Sequence, residues 1–139
     1  MRHSVVLTVT SLLSIVFAVC HLADDISRGM SPAGLTNVPV VVVLAVWLYA
    51  TLVLAERRAG LAIILGLSSL VSAIPVIHML GRSGLAGGAS AGSGGAFFFA
   101  ATLLALGGTA ICSVVLSARG LWSLRRSRAR EGSRQDAAS

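Results

Sequence analysis

Four stretches of this chain run on without a single Asp, Glu, Lys or Arg: Val5–Cys20, Leu35–Ala55, Leu61–Gly81 and Ala96–Ser117. A bilayer core about 30 Å thick takes roughly 20 apolar residues to cross as a helix. Inside lipid, only helices and closed barrels satisfy their own backbone groups. These runs are too long and too evenly apolar for barrel strands, so each is expected to be a membrane-spanning helix. Val5–Cys20 is the shortest, and it continues into a plausible helix.

Composition agrees. Apolar residues make up 55% of the 139 residues and charged residues 12%. A soluble domain carries about 25% charged residues, so this chain could not cover a water-facing surface. The expected architecture is an all-α, antiparallel bundle of four transmembrane helices over residues 1–118, with the N- and C-termini both cytoplasmic. Residues 119–139 are expected to form a basic tail without regular structure.

All 11 basic side chains are Arg, a bias expected of GC-rich coding in a bacterial genome. The net charge of +6 does not point to nucleic acid. Most Arg residues lie just outside the apolar runs, and no basic stretch interleaved with aromatics is present. With the N-terminus inside, Arg2, Arg57, Arg58, Arg119, Arg125, Arg126, Arg128, Arg130 and Arg134 are cytoplasmic, and only Arg28 and Arg82 fall outside. That asymmetry is the positive-inside pattern and fixes the expected orientation. The expected location is the cytoplasmic (inner) membrane. The tail arginines are expected to rest on anionic lipid headgroups, at about 1 kcal/mol per charge near the surface.

Phe17-Ala18-Val19-Cys20 loosely resembles the end of a lipoprotein signal peptide. Val19 just before Cys20, and Phe17 three before it, fit that pattern poorly, so the first span is expected to be retained. Cys20 and Cys112 are too few for a disulfide scaffold and stand in no CxxC pair.

Small residues mark close helix contacts in lipid. The fourth run carries Ala101, Ala105, Thr109, Ser113 and Ser117 at spacing four, with Gly108 beside them. The third carries Ala62, Gly66, Ser69 and Ala73. Both lines are expected to pack against other helices, either inside the bundle or along a seam with a second copy or a larger membrane complex. Ser11, Ser14, Ala18, His21 and Asp25 share one face of the first helix and should face the bundle interior. Pro75 should kink the third helix, and Asn37 with Pro39 should cap and open the second. Trp47 and Tyr49 read as packing residues.

Chemistry-bearing side chains gather at one end. His21, Asp24, Asp25 and Arg28 share a face of a continuing first helix, and His78 stands at a similar depth on the third. The simplest expectation is an interfacial polar cap that holds no cofactor. Two alternatives use the same residues. A metal ion would take His21, Asp24, Asp25 and His78 as ligands, and a haem would sit between His21 and His78. Small proton-coupled multidrug exporters resemble the chain in size and helix count, but they hold a Glu within the membrane, and no acidic residue lies inside these runs. No Walker loop and no GxSxG is present. The leading expectation is a non-enzymatic accessory or self-associating membrane subunit. The alternatives are a metal- or haem-binding redox or sensor protein and a carrier for a small neutral solute.

Overall fold

The first apolar run does not stop at Cys20. In the computed structural model, which describes residues 2–27, 29, 34–80 and 93–136, helix α1 continues from Arg2 to Ser27. Gly29 follows its end, with a φ of 70° that is open to glycine and strained for other residues. The Gly29 amide closes the last turn on the Ile26 carbonyl at 3.0 Å. The first span is therefore Ser4–Ser27 and amply long.

A 3-10 turn at Leu35–Asn37 leads into α2, Val38–Val53. Pro39 lies in its first turn, where the missing N–H has no intrahelical partner to lose. Asn37 occupies the cap position but gives no capping hydrogen bond from its side chain. Its backbone is already helical at φ −89°, ψ −2°, and not in the extended geometry that aims a cap side chain at the following amides. The preceding turn supplies the entry instead, through the Asn37 amide on the Gly34 carbonyl at 3.1 Å.

Leu54–Arg57 links α2 to α3, Arg58–Ser72. The link is tight: the Arg57 amide bonds the Leu54 carbonyl at 2.8 Å and the Leu61 amide bonds the Arg57 carbonyl at 3.0 Å. Gly60 makes it possible, because a Cβ there would overlap the Leu54 carbonyl carbon and oxygen.

The helix is interrupted just before Pro75, where the sequence placed a kink. Helix α3 stops at Ser72, and α4 resumes over Ile74–Leu80. The Ala73 amide turns to the Leu70 carbonyl at 3.2 Å, and the Ile77 amide restores helical spacing on Ala73 at 3.0 Å. Together they form one span, Arg58–Ile77. Against Pro75 lies Gly107 of α5, where a Cβ would stand 3.1 Å from the proline Cγ. A glycine at that point lets α5 approach the break.

Helix α5 runs from Ser93 to Asp136, about 66 Å at 1.5 Å per residue. The expectation of an unstructured tail over 119–139 gives way here to helix as far as Asp136. Arg is a good helix former, and a membrane helix already in place removes the nucleation cost for the residues that follow. Arg126 lies over the Trp122 ring at 3.8 Å, one turn on.

The described residues are helical and contain four helices long and apolar enough to cross a membrane. Helix α5 packs along both α1 and α3. Leu7 and Ile15, Trp47 and Ala50, and Leu61 and Ile64 form one buried cluster from α1, α2 and α3, covered by Leu116, Leu121 and Leu124 of α5. Outward lie Val5, Val9 and Val16 on α1, Val41, Val42 and Leu52 on α2, and Leu104, Ile111 and Val115 on α5, all exposed. A continuous apolar exterior of this extent belongs in lipid.

The two small-residue lines are placed differently. On α5 the buried line is Thr102, Leu106, Ala110, Ser113 and Ser117, while Ala101 and Gly108 are exposed. Its lower half follows the small-residue ridge, and its upper half is turned toward the larger Phe99, Leu103 and Leu106. On α3 the line Ala62, Gly66, Ser69 and Ala73 is exposed throughout, and the buried face is Gly60, Leu61, Ile64 and Ser68. Within one chain, area burial selects large side chains, so the small ones are left facing out.

Candidate functional site

The polar stripe on α1 faces inward as its spacing implied: Ser11, Ser14 and His21 are buried, and Asp25 is 15% exposed. It divides into two sites.

The first lies mid-bundle. Trp47 on α2 is fully buried, and an indole N–H in such a place needs an acceptor. It donates to Ser11 Oγ at 2.9 Å. Ser11 Oγ and Thr51 Oγ1 are 2.7 Å apart, and Thr51 donates to the Trp47 carbonyl at 2.9 Å. Proton counting sets the remaining direction. The indole only donates, and the Thr51 proton is committed to the carbonyl, so Ser11 donates to Thr51. The result is a closed loop that starts and ends on Trp47 and locks α1 to α2. Ser113 adds α5 through Thr10 Oγ1 at 3.2 Å. Sequence reasoning left Trp47 as plain packing and gave Thr51 no role. The available signal was the indole itself, since a tryptophan in the middle of a span must find an acceptor on a neighbouring helix.

The second site lies at the end of the bundle that holds Asp25. One helical turn brings His21 Nε2 to 3.6 Å from Asp25 Oδ2, a polar contact longer than a hydrogen bond. The His21 ring packs on Phe99 of α5 with centroids 5.4 Å apart and planes tilted by 44°. Both polar side chains line a cleft of about 410 Å³ between α1, α2 and α3–α4, whose other described lining residues are apolar ones such as Val43, Trp47 and Leu70.

Of the residues singled out in the sequence, His21 and Asp25 come together. Asp24 is half-buried on the next position of α1 and does not line the cleft. His78 lies on α4, but its side chain, like Arg28, is outside the described residues. Among the described residues no group of three or more His, Cys, Asp or Glu stands together in a way that could hold a metal ion. His21 and Asp25 would supply two donors, where a catalytic zinc takes three from the protein. Cys20 and Cys112 are free thiols.

No protein-family model, curated protein or solved structure matches this chain.

At the opposite end of the bundle, Ser4 donates to Glu56 Oε1 at 3.2 Å, and Arg58 donates to the Leu124 carbonyl at 3.3 Å. These contacts tie the start of α1 to the α2–α3 link, and the start of α3 to the lower part of α5. Beyond them, residues 125–131 are exposed and carry Arg125, Arg126, Arg128 and Arg130.

Proposed function

We propose that this chain is an antiparallel four-helix bundle of the cytoplasmic membrane, with both termini on the cytoplasmic side, acting as a non-enzymatic subunit that self-associates. The Arg asymmetry supports the orientation. Glu56 beside Ser4, and Phe99 beside His21, support neighbouring helices that run in opposite directions. The helical Arg-rich end of α5 then lies on the cytoplasmic side, against anionic headgroups.

The single observation that carries self-association is the outward line Ala62, Gly66, Ser69 and Ala73 on α3. A Cβ at Gly66 would have open space around it. Among the described residues none covers this face, and in lipid such a face lets two backbones approach closely enough for extensive van der Waals contact. The Ser69 hydroxyl is satisfied by the Leu65 carbonyl at 2.7 Å, so the face offers shape and not unpaired donors.

Cysteine cross-linking tests this reading. In a background with Cys20→Ala and Cys112→Ala, Gly66→Cys in native membranes is expected to give a disulfide-linked dimer on oxidation. Val42→Cys, equally exposed on α2, is expected to stay monomeric. A chain that runs as a monodisperse monomer in mild detergent, with no cross-link at Ala62, Gly66 or Ala73, is the contrary outcome.

A further inference from the structure

A groove of about 220 Å³ runs between α3 and α5 at the Arg-rich end of the bundle, with Leu65, Ala118, Leu121, Trp122 and Arg125 among its described lining residues. The four from α5 stand at i, i+3, i+4 and i+7 and share one face. They are graded along it: apolar at Ala118 and Leu121, an indole at Trp122, a guanidinium at Arg125. Helix α3 repeats the grading. Arg58 lies two turns from Leu65 on the same face. Its Nη2 donates to the Leu124 carbonyl at 3.3 Å, which brings a second guanidinium to the residue before Arg125. Trp122 is 59% exposed, and such an amphipathic ring belongs at the level of lipid headgroups. The sequence offers this end few carboxylates. Of five acidic residues, Asp24 and Asp25 lie at the opposite end of the bundle, and Glu56 accepts from Ser4 on α1. Glu131 and Asp136 lie beyond Arg125, about 9 and 16 Å farther along α5.

We propose that this groove seats one anionic phospholipid, its phosphate held by Arg125 and Arg58 and one acyl chain lying along Trp122, Leu121, Ala118 and Leu65. Charge complementarity and the grading from cation to apolar surface select that class. The guanidinium fork matches phosphate oxygens in pairs. A zwitterionic lipid brings a cation of its own, which two arginines repel. Nucleic acid and acidic peptides answer the arginines but not the apolar length of the groove, which continues on the same face of α5 as exposed Ile111 and Val115. The volume is below the roughly 300–1,000 Å³ of enclosed small-molecule sites, so the occupant lies along the groove with one flank in the bilayer. The site rests on the reading that this end of the bundle stands at a membrane surface. To the general pull of anionic headgroups on the tail it adds one defined seat.

Trp47→Phe leaves Trp122 as the sole tryptophan of the full chain, a reporter in the groove wall. Two vesicle preparations contain phosphatidylcholine and phosphatidylglycerol in equal amounts and differ in which lipid carries bromine on its acyl chains near the headgroup. Brominated phosphatidylglycerol is expected to quench Trp122 more strongly, by the amount that a preference of about tenfold gives. Arg125→Gln is expected to reduce that preference to about threefold, and Arg58→Gln with Arg125→Gln to remove it. Arg130→Gln, which lies on another face of α5, removes the same charge and is expected to keep the preference. Ala118→Phe fills the groove with both arginines in place and is expected to lower the preference, so the proposal stays testable where the Arg58 variant fails to fold. Equal quenching in the two preparations overturns the site and leaves the membrane reading intact. Absence of quenching in both shows that Trp122 stands away from lipid and overturns the two together. A preference that falls equally with Arg130→Gln and Arg125→Gln shows diffuse attraction to the tail and overturns the proposal. So does its loss on adding excess glycerol phosphate, which would show a site for the headgroup alone.

Discussion

Gly60→Ala is expected to destabilise the bundle by about 1–3 kcal/mol or more, the range for overpacked sites. The usual sign for this change in a helix is the reverse. Removing glycine's extra freedom ordinarily stabilises a helix by about 0.5–1 kcal/mol. Gly60 differs because its missing Cβ would overlap the Leu54 carbonyl and would lie 2.6 Å from Leu54 Cβ. Most of that obstacle is backbone, which cannot swing aside as a flexible side chain would. Relief requires opening the Leu54–Arg57 link and giving up the Arg57 amide bond to Leu54. Gly108→Ala is the matched control, since nothing stands within 4 Å of a Cβ there, and it is expected to be neutral or slightly stabilising. SDS titration in mixed micelles compares the two. Shifts of the same sign and size would show that the link does not hold α2 against α3 as described.

Trp47→Ala is expected to cost about 3–5 kcal/mol, as for other large buried aromatics. Part of that loss is volume, because Trp47 belongs to the cluster with Leu7, Ile15 and Ile64. The rest is the hydrogen-bonded loop, and Trp47→Phe isolates it. That change keeps most of the ring and removes the donor, at an expected cost of about 1 kcal/mol, in line with hydrogen bonds between membrane helices. Ser11→Ala breaks the loop at its central oxygen, which both Trp47 and Thr51 contact. The double variant Ser11→Ala with Trp47→Phe should therefore cost clearly less than the sum of the single changes, because the bond between them can be lost only once. Strict additivity in the same micelle titration would mean that the indole and the Ser11 hydroxyl are not coupled.

The spans were legible because lipid imposes a simple rule: a long uncharged run must be helical. The helix break at Ala73 followed from Pro75 in the same direct way, since a proline removes a backbone donor wherever it sits. The inward stripe of Ser11, Ser14 and His21 followed from periodicity. Other features depended on neighbours that one helix does not reveal. Gly60 lies just before the third apolar run and has the form of any link glycine until Leu54 is seen beside it. The rotation of α5 toward Phe99 and Leu106, and the outward turn of Ala62 and Gly66, depend on which large side chains win the interior. Tyr49, read as a packing residue, is 56% exposed, because Trp47, Ala50 and Thr51 already fill the buried arc of α2. The helical continuation to Asp136 was hidden by composition: a polar, Arg-rich stretch is read as unstructured when taken alone, and as helix when it prolongs one already formed. Of the candidate site, His21 with Asp25 was visible from their one-turn spacing. The cleft was not, because its walls come from three separate parts of the chain.

The central claim is the four-span bundle with both ends on the cytoplasmic side, and labelling with a membrane-impermeant maleimide tests it most directly. In a cysteine-free background, with Cys20→Ala and Cys112→Ala, single cysteines are placed at Thr36 in the turn before α2, at Glu56 in the α2–α3 link, and at Ser133 near the end of α5. In intact spheroplasts Thr36→Cys is expected to label, while Glu56→Cys and Ser133→Cys label only after the membrane is disrupted. Labelling of Ser133→Cys together with Thr36→Cys in intact spheroplasts, or protection of Thr36→Cys with labelling of Glu56→Cys, would contradict the account.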